Sequence, residues 1–223
     1  MQKFDAPAPI TAVLDIPAGR IQLIAAHRTD AVVEVLPAHP AKSRDAKAAE
    51  QATVEFRDGV LRIATAAPRH ALIGPSGAVE VTVRLPVGSR VEAKAAATDL
   101  RGVGRLGDVV FESAQSEVKL DEAAGVRIGL QGGDVRIGRL DGDSEISTRK
   151  GDLTVTEAVR GTLTLRTEHG DIHVGAAHGV CATLDAGTSY GRVHNALHNA
   201  EGEGAGLAVH ATTSYGDITA RSL

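Results

Sequence analysis

The chain has 223 residues, with 24 basic against 28 acidic side chains and a formal net charge of -4 when histidine is neutral. That balance gives no electrostatic reason to expect a nucleic acid or an anionic membrane as partner. A nucleic-acid binder needs a positive surface, often with aromatic platforms, whereas the bases here are scattered and there are only three Phe, two Tyr and no Trp.

Twenty-five glycines beside so few aromatics predict a narrow core of Val, Ile, Leu and Ala, interrupted by tight turns. No early segment combines a basic start, a long apolar run and a cleavage site, and no stretch approaches about twenty apolar residues. A cytoplasmic location is the expectation. Cys181 is the single cysteine, so no internal disulfide forms.

Up to about Val91 the chain reads as short alternating strands: "ITAVLDI", "RIQLIAA", "AVVEV", "ATVEF", "VLRIAT" and "VEVTVRL". Residues 38–52, "AHPAKSRDAKAAEQA", are alanine-rich without a broad apolar stripe and read as a helical turn or a loop. "DIPAGRIQL" and "RLPVGSRVE" both place a Pro-x-Gly turn between two strands, which suggests two related strand-turn-strand units. Residues 1–91 therefore read as an amino-terminal β region, either sandwich-like or continuous with the repeats.

Residues 92–223 keep a different rhythm. "GDVRI" starts at Gly133, "GDLTV" at Gly151, "GDIHV" at Gly170, "GRVHN" at Gly191 and "GDITA" at Gly216, at spacings of 18, 19, 21 and 25 residues. A second set of strands lies between them: "VRIGL", "SEIST", "LTLRT", "ATLDA" and "LAVHA". Two strands per step with glycine corners predict an all-β chain, a β-solenoid-like stack of two-strand rungs. A sandwich of recurrent hairpins is the competing reading, and the near-constant period favours stacking.

Alternation places Val135, Ile137, Leu153, Val155, Ile172, Val174, Val193 and Ile218 on an inward face, with Ile128, Ile146, Leu165, Ala186 and Ala211 on the companion strands. Arg136, Thr154, His173, His194 and Thr219 form the opposite row, with side chains repeating about every 4.8 Å. His173 and His194 are candidate binding residues there, although a solvated strand face explains such a row without a ligand. The near-copies "TSYGRV" and "TSYGDI" hold both tyrosines, Tyr190 and Tyr215. Each precedes an equivalent corner, where it can pack or cap the coil or offer an aromatic platform to a ligand.

Other chemistry finds little footing. Asp134, Asp152, Asp171 and Asp217 follow corner glycines and suit turn amides, Arg192 interrupts the row, and the glycine-aspartate nonapeptide of calcium-loaded β-rolls is absent. His194 and His198 lack the glutamate of a His-Glu-x-x-His zinc motif, and His169, His173 and His178 read as a surface cluster. Cys181 lacks signals of an activated thiol, and "GEGAG" at Gly202 to Gly206 is no nucleotide fingerprint. No catalytic residue, metal or cofactor is assigned.

The succession "GDVRI", "STRKGDLTV", "RTEHGDIHV", "TSYGRV", "TSYGDITA", set beside the Pro-x-Gly strands, resembles the bacterial DUF4097 family of β-repeat proteins, to which an adhesin role has been ascribed. The resemblance is strongest from Gly102 to Leu223 and implies a β-solenoid-like fold and an interaction role, with no catalytic residues to transfer. The expected function is a noncatalytic scaffold or protein-interaction module. Its partner is an unidentified protein or a second copy through a terminal strand. A carbohydrate-active β-helical enzyme, with Asp152 and Asp171 as candidate carboxylates, is the alternative.

Overall fold

The computed structural model describes residues 1–65, 77–198 and 206–223. Nearly every described element is a strand, and the alternation in the sequence is the reason: one side of each strand is apolar and enters a common core. The segments around Pro17 and Pro86 are corners that carry the chain from one layer to the other. Residues 199–205, with most of "GEGAG", lie outside the described residues.

Each turn of the chain gives one strand to each of two facing layers. One layer runs, in hydrogen-bonded order, β5 (Thr53–Arg57), β6 (Val60–Ala64), β2 (Thr11–Asp15), β8 (Arg90–Lys94), the second half of β9 (Ala97–Gln115) and the second half of β10 (Val118–Gly132). It continues with β12 (Ser144–Lys150), β14 (Gly161–His169), β18 (Leu207–Tyr215) and β16 (Ala182–Tyr190). The other runs β1 (Gln2–Asp5), β4 (Asp30–Pro37), β7 (Val79–Pro86), β3 (Ala18–Ala26) and the first halves of β9 and β10. It ends with β11 (Val135–Leu140), β13 (Leu153–Ala158), β15 (Ile172–Ala176), β19 (Ile218–Ser222) and β17 (Val193–Ala196). The strands before Val91 thus stack in the same two layers as the glycine-aspartate rungs.

From β6/β7 to β16/β17 every pairing is parallel, and the register places like on like. Val118, Val135, Leu153, Ile172 and Ile218 fall in one column, and Leu120, Ile137, Val155, Val174 and Ala220 in the next. Nearly all of them join one continuous core and all ten are buried, so each rung hides its apolar face against its neighbours.

The order of rungs departs from the order of the chain at both ends. The first rung, β2 with β3, lies between β6/β7 and β8/β9. The last rung, β18 with β19, lies between β14/β15 and β16/β17. Sequence-order stacking, with Val193 in the interior, is therefore corrected: β16/β17 is the end of the stack, Val193 is 45% exposed and Ala186 is only partly buried.

Two residues explain the choice. Stacked in chain order, Arg192 would lie below Asp217 and leave the Asp217 amide without a carboxylate acceptor, a loss of about 1–3 kcal/mol if buried. Asn195, which pairs in register with Ala220, would also enter the apolar column between Val174 and Ala220. At the end of the stack Asn195 is exposed and its side chain accepts the Leu197 amide at 3.0 Å.

The opposite end is closed to further parallel stacking by antiparallel strands, the outermost of which, β1 and β5, are short and unpaired on their outer side among the described residues. β5 lies antiparallel on β6, β4 antiparallel on β7 and β1 antiparallel on β4. Phe4 of β1 and Phe56 of β5 meet with ring centroids 5.4 Å apart, bridging the two layers. Helix α1 (Ser43–Glu50), within the stretch read as helical turn or loop, packs on β4 and β7. No helix among the described residues is long and apolar enough to cross a membrane.

Asp45 ties that helix down: its buried carboxylate accepts the Ala78 amide at 3.0 Å and meets His39 Nδ1 at 3.1 Å. The Ala78 hydrogen bond holds the Asp45 carboxyl below the usual carboxylate range, outweighing its desolvation. A folded-state value lowered in this way adds stability that is complete above about pH 4, the unfolded value, and is lost as pH falls through the folded one. Asp45→Asn is therefore expected to lower stability at pH 7 and to flatten the acid limb of the profile, as urea melts across pH 2 to 7 will show.

Candidate functional site

The glycine corners explain the repeated "TSYG". The residue preceding each glycine lies in one outward column, Lys150, His169, Tyr215 and Tyr190. His169 stacks on Tyr215 with centroids 4.8 Å apart and 10° between planes, and Tyr215 stacks on Tyr190 at 4.8 Å and 4°. Three rings at the strand repeat make a continuous aromatic ladder. Its end ring, Tyr190, is stacked on one face and is 68% exposed.

The threonine two residues before each ring serves the interior. Thr167 donates to the Gly151 carbonyl at 3.1 Å, Thr213 to Gly170 at 3.1 Å and Thr188 to Gly216 at 3.0 Å. Each hydroxyl satisfies a corner carbonyl on a neighbouring rung. The near-copy is thus a step of the repeat that also builds the aromatic ladder.

The aspartates form a second ladder. Asp134 accepts the Asp152 amide at 3.0 Å, Asp152 that of Asp171 at 2.9 Å, Asp171 that of Asp217 at 2.7 Å and Asp217 that of Arg192 at 2.8 Å. Every carboxylate reaches the next rung in space, and the corner lacking one is the last. Asp152 and Asp171, the candidate carboxylates of the enzymatic reading, are structural acceptors.

At the end rung the register juxtaposes three further pairs. Asp185 meets His210 Nδ1 at 3.4 Å, Arg192 meets the second Asp217 oxygen at 3.4 Å, and Tyr190 covers Tyr215. No strand among the described residues pairs with the outer edge of β16 or β17. β16 is a nine-residue edge, "ATLDAGTSY", carrying a single charge and no proline. Long edges of that kind are adhesive unless blunted by charge, proline or a covering element.

His173 and His194 share the outer row of the second layer but do not touch: Thr219 of the inserted rung pairs with both. His173 lines a shallow depression of about 330 Å³ with Thr154, Thr156, Gly175, Thr219 and Arg221, which His194 does not line. The structure therefore joins Tyr190 with Tyr215 and separates the two histidines. Asp185 and Arg192 are not marked for binding by any motif. The signal for them is the arginine in place of a corner aspartate, which ends the carboxylate ladder. Among the described residues, no three His, Cys, Asp or Glu side chains converge as a metal site.

The model of the family described as Toastrack DUF4097 matches residues 21–222. Among solved structures, a proposed adhesin from Parabacteroides distasonis is 12% identical, with 98% of this chain and 95% of that one covered, at a TM-score of 0.48. A proposed lipid binding protein from the same organism is 8% identical over 98% and 95% of the two chains, at 0.47. A proposed cell adhesion protein from Clostridium sporogenes is 13% identical over 100% and 98%, at 0.39. No curated protein matches significantly. The match over nearly the whole chain, the glycine-aspartate corners and the two-layered stack of rungs agree: the chain belongs to the Toastrack DUF4097 family.

Proposed function

We propose that the protein is a noncatalytic interaction module that engages a partner protein at the end rung, β16 with β17. The supporting observation is the difference between the two ends of the stack. One finishes in two short antiparallel strands, the four-residue β1 and five-residue β5, with a helix on β4 and β7 and the Phe4–Phe56 contact between the layers, while the other presents the nine-residue parallel edge of β16, unpaired among the described residues, an exposed ring face on Tyr190 and the exposed Val193. Unpaired edges of this kind bind by strand addition: main-chain hydrogen bonds supply affinity and alternate side chains supply specificity. The carbohydrate-active alternative gains no support, because the corner carboxylates it would use already hold turn amides.

Affinity capture from a lysate of the source cell tests the reading, with quantitative comparison of three proteins. These are the wild type, a Tyr190→Ala/Val193→Lys variant at the end rung, and a Leu36→Ala variant near the closed end, where Leu36 is also exposed. Circular dichroism melts establish that all three fold. The expected result is a reproducible partner retained by Leu36→Ala and lost from the end-rung variant. A partner set identical in all three proteins would remove the end rung as the binding surface.

A further inference from the structure

The inserted rung packs against the inner side of the end rung and shows which groups its side chains pair with. There, His210 meets Asp185, Tyr215 stacks on Tyr190 and Asp217 meets Arg192. Parallel stacking is a translation of about 4.8 Å, so each of these end-rung side chains has one neighbour below and an equivalent open position above. They are far from saturated by the lower contact: Asp185 remains 85% exposed and Arg192 89% exposed.

Resting on the reading of the end rung as an interaction surface, we propose that it binds a parallel β-strand of a partner protein with a defined charge pattern. The strand carries a base at one position and a flat ring five residues later, and a carboxylate follows two residues beyond the ring, in the corner after the strand. These offsets are those of Asp185, Tyr190 and Arg192, and of His210, Tyr215 and Asp217. The base lies against Asp185, the ring continues the His169–Tyr215–Tyr190 ladder and the carboxylate takes the Arg192 guanidinium.

Strand direction argues against a second copy of this chain as the occupant. Two copies meeting by this same end are related by a two-fold axis across the stack, which sets each edge strand antiparallel to the one it faces, so neither copy offers the other the parallel base, ring and carboxylate register that the inserted rung displays. The closed end offers no match either, since β5, "TVEFR", has no ring five residues after a base.

The probe is a fluorescein-labelled peptide of residues 207–222 with His210→Arg, which fixes the base, added to the intact protein and read by fluorescence anisotropy. Saturable binding is expected, with at least a tenfold loss for a peptide whose two charges are exchanged, His210→Asp with Asp217→Arg. On protein carrying Asp185→Arg and Arg192→Asp the preference of the two peptides should invert. Tyr190→Ala should weaken both peptides.

Absence of saturable binding overturns the proposal, as does equal binding of the exchanged peptide or binding indifferent to Tyr190→Ala. A concentration-dependent dimer in light scattering that Tyr190→Ala/Val193→Lys abolishes would assign the end to a second copy and overturn it too. Failure of the inversion, with a captured partner still lost from the end-rung variant, removes the charge pattern and leaves the interaction surface standing.

Discussion

Gly170→Ala is expected to abolish folding, or to cost more than about 4 kcal/mol if any folded protein is recovered. Gly170 has φ of +151°, and a Cβ added there would lie 2.1 Å from the Gly151 carbonyl oxygen and 2.6 Å from its carbon. Both obstacles are backbone, so no side-chain rotation relieves them. The corner cannot retreat either, because the Gly170 amide donates to the Tyr215 carbonyl at 2.9 Å and its own carbonyl accepts Thr213 at 3.1 Å. The informative control is Gly187→Ala on β16, where nothing lies within 4 Å of the added carbon. That change should stay within about 0.5 kcal/mol of wild type. Soluble yield and urea melts of the two variants separate a requirement of the corner from a general intolerance of lost glycine.

Phe111→Ala should be the most damaging large-to-small change, at about 3–5 kcal/mol. Phe111 heads the fully buried side chains, in the half of β9 that pairs with β8 and β10. The surrounding core is built of valine, isoleucine, leucine and alanine, and β9 is hydrogen-bonded on both sides there, so collapse around the void is limited. Phe111→Leu should recover much of the loss. Tyr190→Ala, by contrast, removes one exposed face and one stack, about 1 kcal/mol. Denaturant midpoints at constant slope check the ranking. If Tyr190→Ala proved as costly as Phe111→Ala, the ring would be holding the stack together rather than ending it.

The inward columns were legible in the sequence because side-chain alternation and the glycine period act locally. Val135, Leu153 and Ile172 could be aligned by counting from their corners, and they do share a column. The order of rungs was not legible in the same way. In a parallel stack every rung presents similar edges and similar inward residues, so periodicity accepts more than one order. What discriminates is small: a corner carboxylate missing at Arg192, and a polar Asn195 in an otherwise apolar column. Val193 shows the consequence, since its alternation is that of an inward residue yet it is left exposed at the end of the stack.

The closed end was hidden for a related reason. "ATVEF" and "AVVEV" alternate like the other strands, and alternation alone does not distinguish the antiparallel pairing of β5 and β4 from parallel stacking. Of the candidate site, the tyrosine pair was readable because its near-copies name themselves. Alternation alone puts His173 and His194 on one outer row, but the inserted Thr219 keeps them about two strand spacings apart. Asp185 gained its significance only through His210, a partner set by rung order.

Engineered disulfides test that order directly. In a Cys181→Ala background, one variant carries cysteines at Thr164 and His210, which face each other in register, and the other carries them at Thr164 and Asp185, which are separated by the strand of His210. Neighbouring strands lie about 4.8 Å apart, within disulfide reach, and strands once removed lie at about twice that, beyond it. Oxidation followed by peptide mapping should yield the 164–210 bridge in high amount and essentially no 164–185 bridge. The reverse result would restore chain-order stacking, make residues 207–222 the end rung, and remove Tyr190, Asp185 and Arg192 from the binding surface.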